Sequence, residues 1–419
     1  MIRDRIIVCI ASAWDYDPTS KHQLMRILSR HNDVIWINYH GTRRPTLSRG
    51  DVRTSWAVLR RVARGIARVG PSFVQVTPLV LPGVRSRPLF AVHQKLLTTQ
   101  VRRVIRHVQN GGSKPVQLWS FAPDVPFLID QFDEECFLYY CVDEYSEFEG
   151  VDARRITQLE EDMLQRADLV VTTSEALHAA KSAVRPDALL MRHGVDYDLF
   201  ASSWRVPLQP PADLHPVPRP MFGFFGLVHF WVDCALLAAV ARLRPHYSFV
   251  LIGECKTDVS DLRRLPNVYL LGRRPNQQLP AYCAGFDAAL LPFTRANLTR
   301  SVNPIKMYEY LAAGLPIVST PLPEARRFEG AITFASTATE FAAACDRVLQ
   351  SSYLQRRAAI SSLVEGESWL PKVEQLSARI SERLGHITCI ATRPASDVLL
   401  GPATAPSTLP SPYNEAAVL

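Results

Sequence analysis

Lys306 and Glu309 stand three residues apart in the segment SVNPIKMYEYLAAGLPIVST, residues 301–320. Asn303 is a good N-cap and Pro304 suits the first helical position, so a helix is expected to open here and to end at Gly314. An ammonium in the first turn opposes the helix dipole by roughly 0.3–1 kcal/mol. An anion arriving at that N-terminus reverses the penalty, because backbone N–H groups and the ammonium then act on it together. The carboxylate of Glu309 follows on the same face, about 4.5 Å along the axis. This spacing suits a lysine on a diphosphate and a glutamate on the vicinal hydroxyls of a ribose. A surface Lys–Glu pair on an ordinary helix would look the same in isolation.

Other residues have types fit for the same chemistry. Gly226 closes the run MFGFFG, where a glycine lets a backbone N–H approach a phosphate closely, and His229 and Trp231 follow on the same turn. Arg300, just before the expected helix, is a candidate second phosphate contact. Glu254 ends the run FVLIG, where a sheet presents residues to a cleft. Thr19, Ser20, Lys21 and His22 open a helix after the first apolar run and form a second anion corner. That corner lacks G-x-G-x-x-G, which argues against a dinucleotide cofactor. A base that takes a proton from a hydroxyl is expected at a strand's carboxyl end. Asp143, directly after CFLYYCV, is the first choice, with Asp15 and Asp17 as alternatives.

The elements that must position these residues are legible from periodicity. Apolar runs at 5–11, 34–39, 74–81, 116–121, 136–142, 169–174 and 188–191 alternate with helical stretches such as 89–108 and 156–167. The pattern breaks at SSWRVPLQPPADLHPVPRP (202–220), a stretch with six prolines expected to be a semi-rigid linker. It restarts at 221–226, 249–253, 268–272, 288–293, 316–320 and 331–335. Runs apolar on both faces and separated by helices predict parallel sheets. The expected fold is α/β, with two doubly wound Rossmann-like domains facing across a cleft. The domains are expected at 1–201 and 221–367. A helix at 368–384 is a candidate to return to the first domain, and a tail from 385 to 419 is expected to be disordered.

A chain of 419 residues has room for two such domains. Its eight cysteines contain no C-x-x-C pair and several fall inside apolar runs, which suits reduced core thiols. No window approaches ~18 apolar residues, so no membrane span is expected. The net charge of +7 is uneven: residues 1–110 hold 19 Lys and Arg against 5 Asp and Glu, leaving −7 on the rest. The asymmetry argues against general nucleic-acid binding and for a local anionic partner. Within the basic part, RTSWAVLRRVARGIARVG (53–70) places Trp56, Leu59, Val62 and Ile66 on one helical face, with Arg53, Arg60, Arg61, Arg64 and Arg68 around the rest. Such a basic amphipathic helix suits an anionic membrane surface, and an ordinary packed helix remains the alternative.

The segment at 301–320 strongly resembles the donor-binding motif of bacterial glycosyltransferases of the GT-B fold, in the group reading roughly NP-K-YEYLA-G-PVV. Supporting phrases resemble the same group in order: YYCVDEYSEFEG (139–150), ADLVVTTSEAL (167–177), MRHGVDYDLF (191–200), FGFFGLVHFWVD (222–233), FVLIGE (249–254) and LLGRRPNQQLPAYCAGFDAALLPF (270–293). The likeness spans residues 5–385. It implies that Glu309 holds the ribose and Lys306 the phosphates of a UDP- or GDP-sugar, and that no metal or other cofactor is required. It also implies transfer of the sugar to a hydroxyl of a lipid-linked glycan in cell-surface polysaccharide synthesis, at the cytoplasmic side of a membrane. Many retaining members carry a second glutamate where this chain has Ser301, so the stereochemistry stays open. A same-fold epimerase or hydrolase and a catalytically silent nucleotide-sugar-binding subunit are the alternatives.

Overall fold

The computed structural model describes residues 1–15, 18–39, 60–80, 87–148, 151–350 and 353–391. Two sheets organise it. In the N-terminal body the elements are β1 (Ile6–Ala11), α1 (Ser20–Leu28), β2 (Asp33–Asn38), β3 (Ala67–Gly70), β4 (Phe73–Val76), α2 (Arg87–Gln109), β5 (Val116–Ser120), β6 (Cys136–Cys141), α3 (Ala153–Arg166), β7 (Leu169–Thr172), α4 (Glu175–Ser182) and β8 (Leu189–Leu190). The strand order is β3-β4-β2-β1-β5-β6-β7-β8, parallel throughout except the β3–β4 pair. Strands β1, β5 and β6 are buried along their whole length, as residues apolar on both faces require.

The second body begins with α5 (Tyr197–Arg205), followed by β9 (Met221–Phe225), α6 (Cys234–Leu243), β10 (Ser248–Ile252), α7 (Ser260–Arg263), β11 (Val268–Leu270), α8 (Leu279–Gly285), β12 (Ala288–Leu291), α9 (Asn297–Ser301), α10 (Ile305–Ala312), β13 (Ile317–Ser319), β14 (Ile332–Phe334), α11 (Ala338–Gln350) and α12 (Tyr353–Ser362). Its sheet is parallel in the order β11-β10-β9-β12-β13-β14. In both sheets the strand order reverses beside the first strand, between β1 and β5 and between β9 and β12. The carboxyl ends at such a switch point are where doubly wound sheets hold ligands.

Three expected boundaries move. The linker expected from Ser202 is helical to Arg205, because α5 continues through Ser202–Trp204 and seats Phe200 and Ala201 in the core of the second body. The helix expected at 53–70 is helical only to Arg64 within the described part. Gly65 turns the chain at φ +65, and Ala67–Gly70 pair antiparallel with β4 instead. Trp56 and Arg53 lie outside the described residues. The tail expected from Gly385 is helical to Ala391, as part of α13 (Trp369–Ala391).

That last helix crosses back. Trp369, Val373, Leu376 and Ile380 are buried with Ile7, Met25 and Leu28 of the N-terminal body, against α1. The Val195 N–H donates to the Glu367 carbonyl at 2.9 Å, and a Cβ on Gly194 would lie 2.8 Å from the Trp369 ring. The Trp369→Ala variant should therefore lose about 3–5 kcal/mol of stability, the usual cost of emptying a buried aromatic site, read as a lower urea midpoint.

Candidate functional site

Helix α10 fixes the geometry. Its N-cap is Pro304 rather than Asn303. Asn303 lies one residue before the cap, and its buried side chain donates through Nδ2 to the Thr173 carbonyl of the N-terminal body at 2.8 Å. The far end closes as the sequence implies. Gly314 takes φ +69, its N–H bonds the Leu311 carbonyl at 2.8 Å, and the Leu315 N–H bonds the Tyr310 carbonyl at 3.0 Å. This is a Schellman ending. Met307, Tyr308, Tyr310 and Leu311 are buried, while Lys306 and Glu309 are half-exposed together on the remaining side.

Lys306 reaches the switch point of the second sheet. Its ammonium lies 5.4 Å from the ring centre of Phe224 on β9 and 5.5 Å from that of Phe293 beyond β12. Cation–π attraction on both sides holds the charge between those two strands. Gly226, at φ +122, makes the space: a Cβ there would lie 2.6 Å from Lys306 Cε and 2.9 Å from Nζ. The N–H of Gly226 is not available to a phosphate, since it donates to the Ile252 carbonyl at 2.8 Å. The glycine serves the lysine instead. The loop after it is pinned on both sides, with Val228 N–H on the Glu254 carbonyl at 2.9 Å and Thr294 N–H on the Trp231 carbonyl at 2.8 Å. His229 stacks on Trp231 with ring centres 4.6 Å apart, and both are half-exposed on this loop. Arg300 is exposed on α9. Glu254 is also exposed and pairs with Lys256 rather than entering the cleft.

Opposite lies the switch point of the first sheet. Asp143 follows β6, and burial pushes its carboxyl up to about 7, with Lys21 pulling it down and Glu144 pushing it up. Burial lowers the Lys21 amine, while Cys9 and Asp143 oppose that shift. A second carboxyl, which periodicity did not single out, sits beyond β5. Asp124 accepts a hydrogen bond from the Tyr39 hydroxyl at 3.1 Å, and burial raises it to about 6.

The rest of the first corner is structural. Thr19 caps α1 and Ser20 is buried. His22 accepts the Thr19 N–H through Nδ1 at 3.1 Å, and its Nε2 meets the Trp14 carbonyl at 3.2 Å. Packed between Trp14 and Trp36, and pushed to about 3 by burial, it is a neutral core histidine rather than an anion ligand. Asp15 accepts a hydrogen bond from Arg61 Nε at 3.1 Å, and Asp17 lies outside the described residues. Asp15–Asp17 and Asp196–Asp198 are the chain's two Asp-x-Asp triplets. Among the described residues no three His, Cys, Asp or Glu side chains are grouped to hold a metal ion.

The two bodies meet at both ends of this gap. Arg273, beyond β11, donates to the Asp15 carbonyl at 3.3 Å. At the other end Ser174 Oγ donates to the Ser301 carbonyl at 2.6 Å, beside the Asn303–Thr173 bond. Glu324, only 3% exposed, anchors this joint: it accepts the Glu175 N–H at the start of α4 and Arg192 Nε, each at 2.7 Å. A carboxylate at a helix N-terminus with an arginine on its other oxygen is well compensated for burial. Sequence reading missed Thr173, Ser174, Arg192 and Glu324 because their partners are 127–149 residues away. The small polar pair before the helix EALHAAKS was the one local signal.

Residues 219–351 match the family described as Glycosyl transferases group 1. The putative teichuronic acid biosynthesis glycosyltransferase TuaH of Bacillus subtilis (strain 168) is 28% identical over 255 residues, covering 55% of this chain and 63% of that protein. The match thus spans a little less than two thirds of that relative. Among solved structures, sucrose-phosphate synthase from Thermosynechococcus elongatus superposes with a TM-score of 0.62 at 14% identity, covering 93% of this chain and all of the other. HepE of Anabaena, in complex with UDP and glucose, superposes with a TM-score of 0.64 at 13% identity, covering 90% and 100%. The architecture is GT-B.

Two outcomes follow from this geometry. Gly226→Ala should displace the Lys306 ammonium and weaken nucleoside diphosphate binding by about tenfold or more, roughly 1.4 kcal/mol, in calorimetric titration. His22, near 3 when folded and near its ordinary value when unfolded, binds its proton only in the unfolded chain across that window. Its contribution to stability is therefore complete above about 6.5 and is lost as pH falls toward 3, by up to about 1.4 kcal/mol per pH unit. Asp143 and Asp124 act with the opposite sign, so the test is the difference between wild type and His22→Asn, which should narrow on acidification from pH 6 to 4.

Proposed function

From the group 1 glycosyltransferase domain formed by residues 219–351, we propose that this chain transfers a sugar from a UDP- or GDP-sugar to a hydroxyl of a lipid-linked glycan in cell-surface polysaccharide synthesis. The observation that carries the proposal is the Lys306 ammonium seated at the β9–β12 switch point, with Glu309 one turn later on the same open face. The diphosphate lies over the amino end of α10 against Lys306, with Arg300 near enough along the chain to add a charge. Glu309 accepts hydrogen bonds from the ribose hydroxyls. His229 and Trp231 form a stacked surface beside the sugar.

The reaction places charge on the departing diphosphate. The bond from the anomeric carbon to the phosphate oxygen breaks, and the oxygen keeps the electron pair. Lys306 and the first amides of α10 stabilise that charge in a partly desolvated gap, which is where such stabilisation is worth most. The acceptor oxygen forms the new bond and gives its proton to Asp143, whose raised carboxyl titrates near neutrality as an effective base should. The protein supplies positioning and charge, and no other cofactor enters the scheme.

The TuaH likeness supports a polysaccharide acceptor, and the surface of the N-terminal body supports a lipid-borne one. Arg60 and Arg64 are exposed there beside the exposed apolar residues Ile66 and Val69. Arg61 is drawn inward to Asp15. No helix among the described residues is long and apolar enough to cross a membrane, so contact with anionic lipid would be peripheral.

A panel of UDP, GDP, ADP and their sugars tests the donor assignment. The preferred nucleotide at one hundred times its Kd should stabilise the protein by about 2.7 kcal/mol, seen as a raised melting temperature. Glu309→Ala should abolish most of that shift, and unchanged affinity in this variant would remove the assignment. Donor consumption without acceptor would favour an epimerase or hydrolase. Tight binding with no turnover on any lipid-linked acceptor would favour a silent subunit.

A further inference from the structure

The donor helix and the candidate base belong to different bodies, yet two hydrogen bonds in series, one buried and one part-buried, run from one to the other. Asn303, which immediately precedes the N-cap of α10, donates through Nδ2 to the Thr173 carbonyl at 2.8 Å. Thr173 in turn donates through Oγ1 to the Val142 carbonyl at 3.1 Å. Val142 is the residue before Asp143. The neighbouring Ser174 Oγ donates to the Ser301 carbonyl at 2.6 Å, two residues before Asn303. Thr173 and Ser174 are fully buried and Asn303 is 2% exposed.

We propose that Thr173 is a positioning residue for glycosyl transfer, joining the start of the donor helix to the peptide that carries Asp143. The inference rests on the donor and base assignments made above. Displacement at an anomeric carbon needs the donor, the acceptor oxygen and the proton acceptor held within about 3 Å of one another, and a 1 Å misplacement costs on the order of 100-fold in rate. Here the donor is held by one body and the proton acceptor by the other. A shift of the Asp143 turn relative to α10 strains the Asn303–Thr173–Val142 series, whose first bond is buried away from water. Glu324 holds the same joint from the far side through Glu175 and Arg192. The two ends of the gap therefore differ: Arg273 on the Asp15 carbonyl is an exposed contact, whereas the Thr173 end is joined through the buried side chains of Ser174, Asn303 and Glu324.

Thr173→Val keeps the volume and removes the hydroxyl, so Asp143 loses its tie while Lys306 and Glu309 keep theirs. The expected result is a fall in kcat of roughly 10- to 100-fold with nucleotide affinity within about threefold of wild type. The acidic limb of the kcat/KM profile should also move from its position near 7. That limb is set by the groups facing Asp143, which are Lys21 from α1 and Glu144 and Tyr145 from its own turn. Thr173→Ser should restore both rate and limb. Asn303→Leu, which cuts the chain from the donor side, should show the same separation of kcat from affinity, and it serves if Thr173→Val does not fold. Wild-type kcat and an unmoved limb in Thr173→Val, or loss of rate that Thr173→Ser does not recover, would overturn the proposal. If wild type binds no nucleotide or transfers no sugar, or if Asp143→Asn keeps full activity, the failure lies with the functional reading instead.

Discussion

A half-buried ammonium in the first turn of a helix needs compensation, and the architecture of the second body is arranged around that constraint. Lys306 is the wrong charge for its position in α10. It is held there by two aromatic faces, Phe224 and Phe293, and by the missing side chain of Gly226. Phe224 and Gly226 come from β9 and its end, Phe293 from beyond β12, and they meet because β9 and β12 are adjacent where the strand order reverses. Remove the adjacency and the lysine has no seat.

The same logic explains why the N-terminal body must be there at all. In the transfer proposed above, the second sheet would hold the donor and a proton acceptor would stand opposite it. Asp143 can serve because burial raises its carboxyl while Lys21 limits the rise. Its environment is built from β6, α1 and the turn after β7. The return of α13 across the N-terminal body, with Trp369 packed on Gly194, ties the two halves a second time, away from the gap. Covalent continuity at 195–197 and at 367–369 thus runs beside the noncovalent joint at Thr173 and Glu324.

Much of this was legible in the chain. Every strand of both sheets was foreshadowed by an apolar run except β3, whose sequence ARVG carries no strand signal and pairs only as an edge. The lysine and glutamate of α10 could be read because a helix places i and i+3 on one face without help from tertiary structure. What could not be read were decisions taken by distant partners. Asn303 looked like a cap and instead precedes the cap, with its Nδ2 donating across to the Thr173 carbonyl of the other body. His22 looked like an anion ligand and became a core residue, since Trp14 and Trp36 surround it and both ring nitrogens are occupied.

Gly226 shows the difference most sharply. Its type was informative and its mechanism was not. A glycine after an apolar strand suggests a backbone amide offered to phosphate, but here that amide belongs to Ile252, and a Cβ on Gly253 would fall 1.9 Å from the Gly226 carbonyl oxygen. The two glycines allow neighbouring strands to end in contact, which clears a space just wide enough for one lysine side chain. Local sequence records that a side chain is absent; only the fold says what fills the gap. That occupant is the Lys306 ammonium, with the Phe224 and Phe293 ring centres 5.4 and 5.5 Å from it.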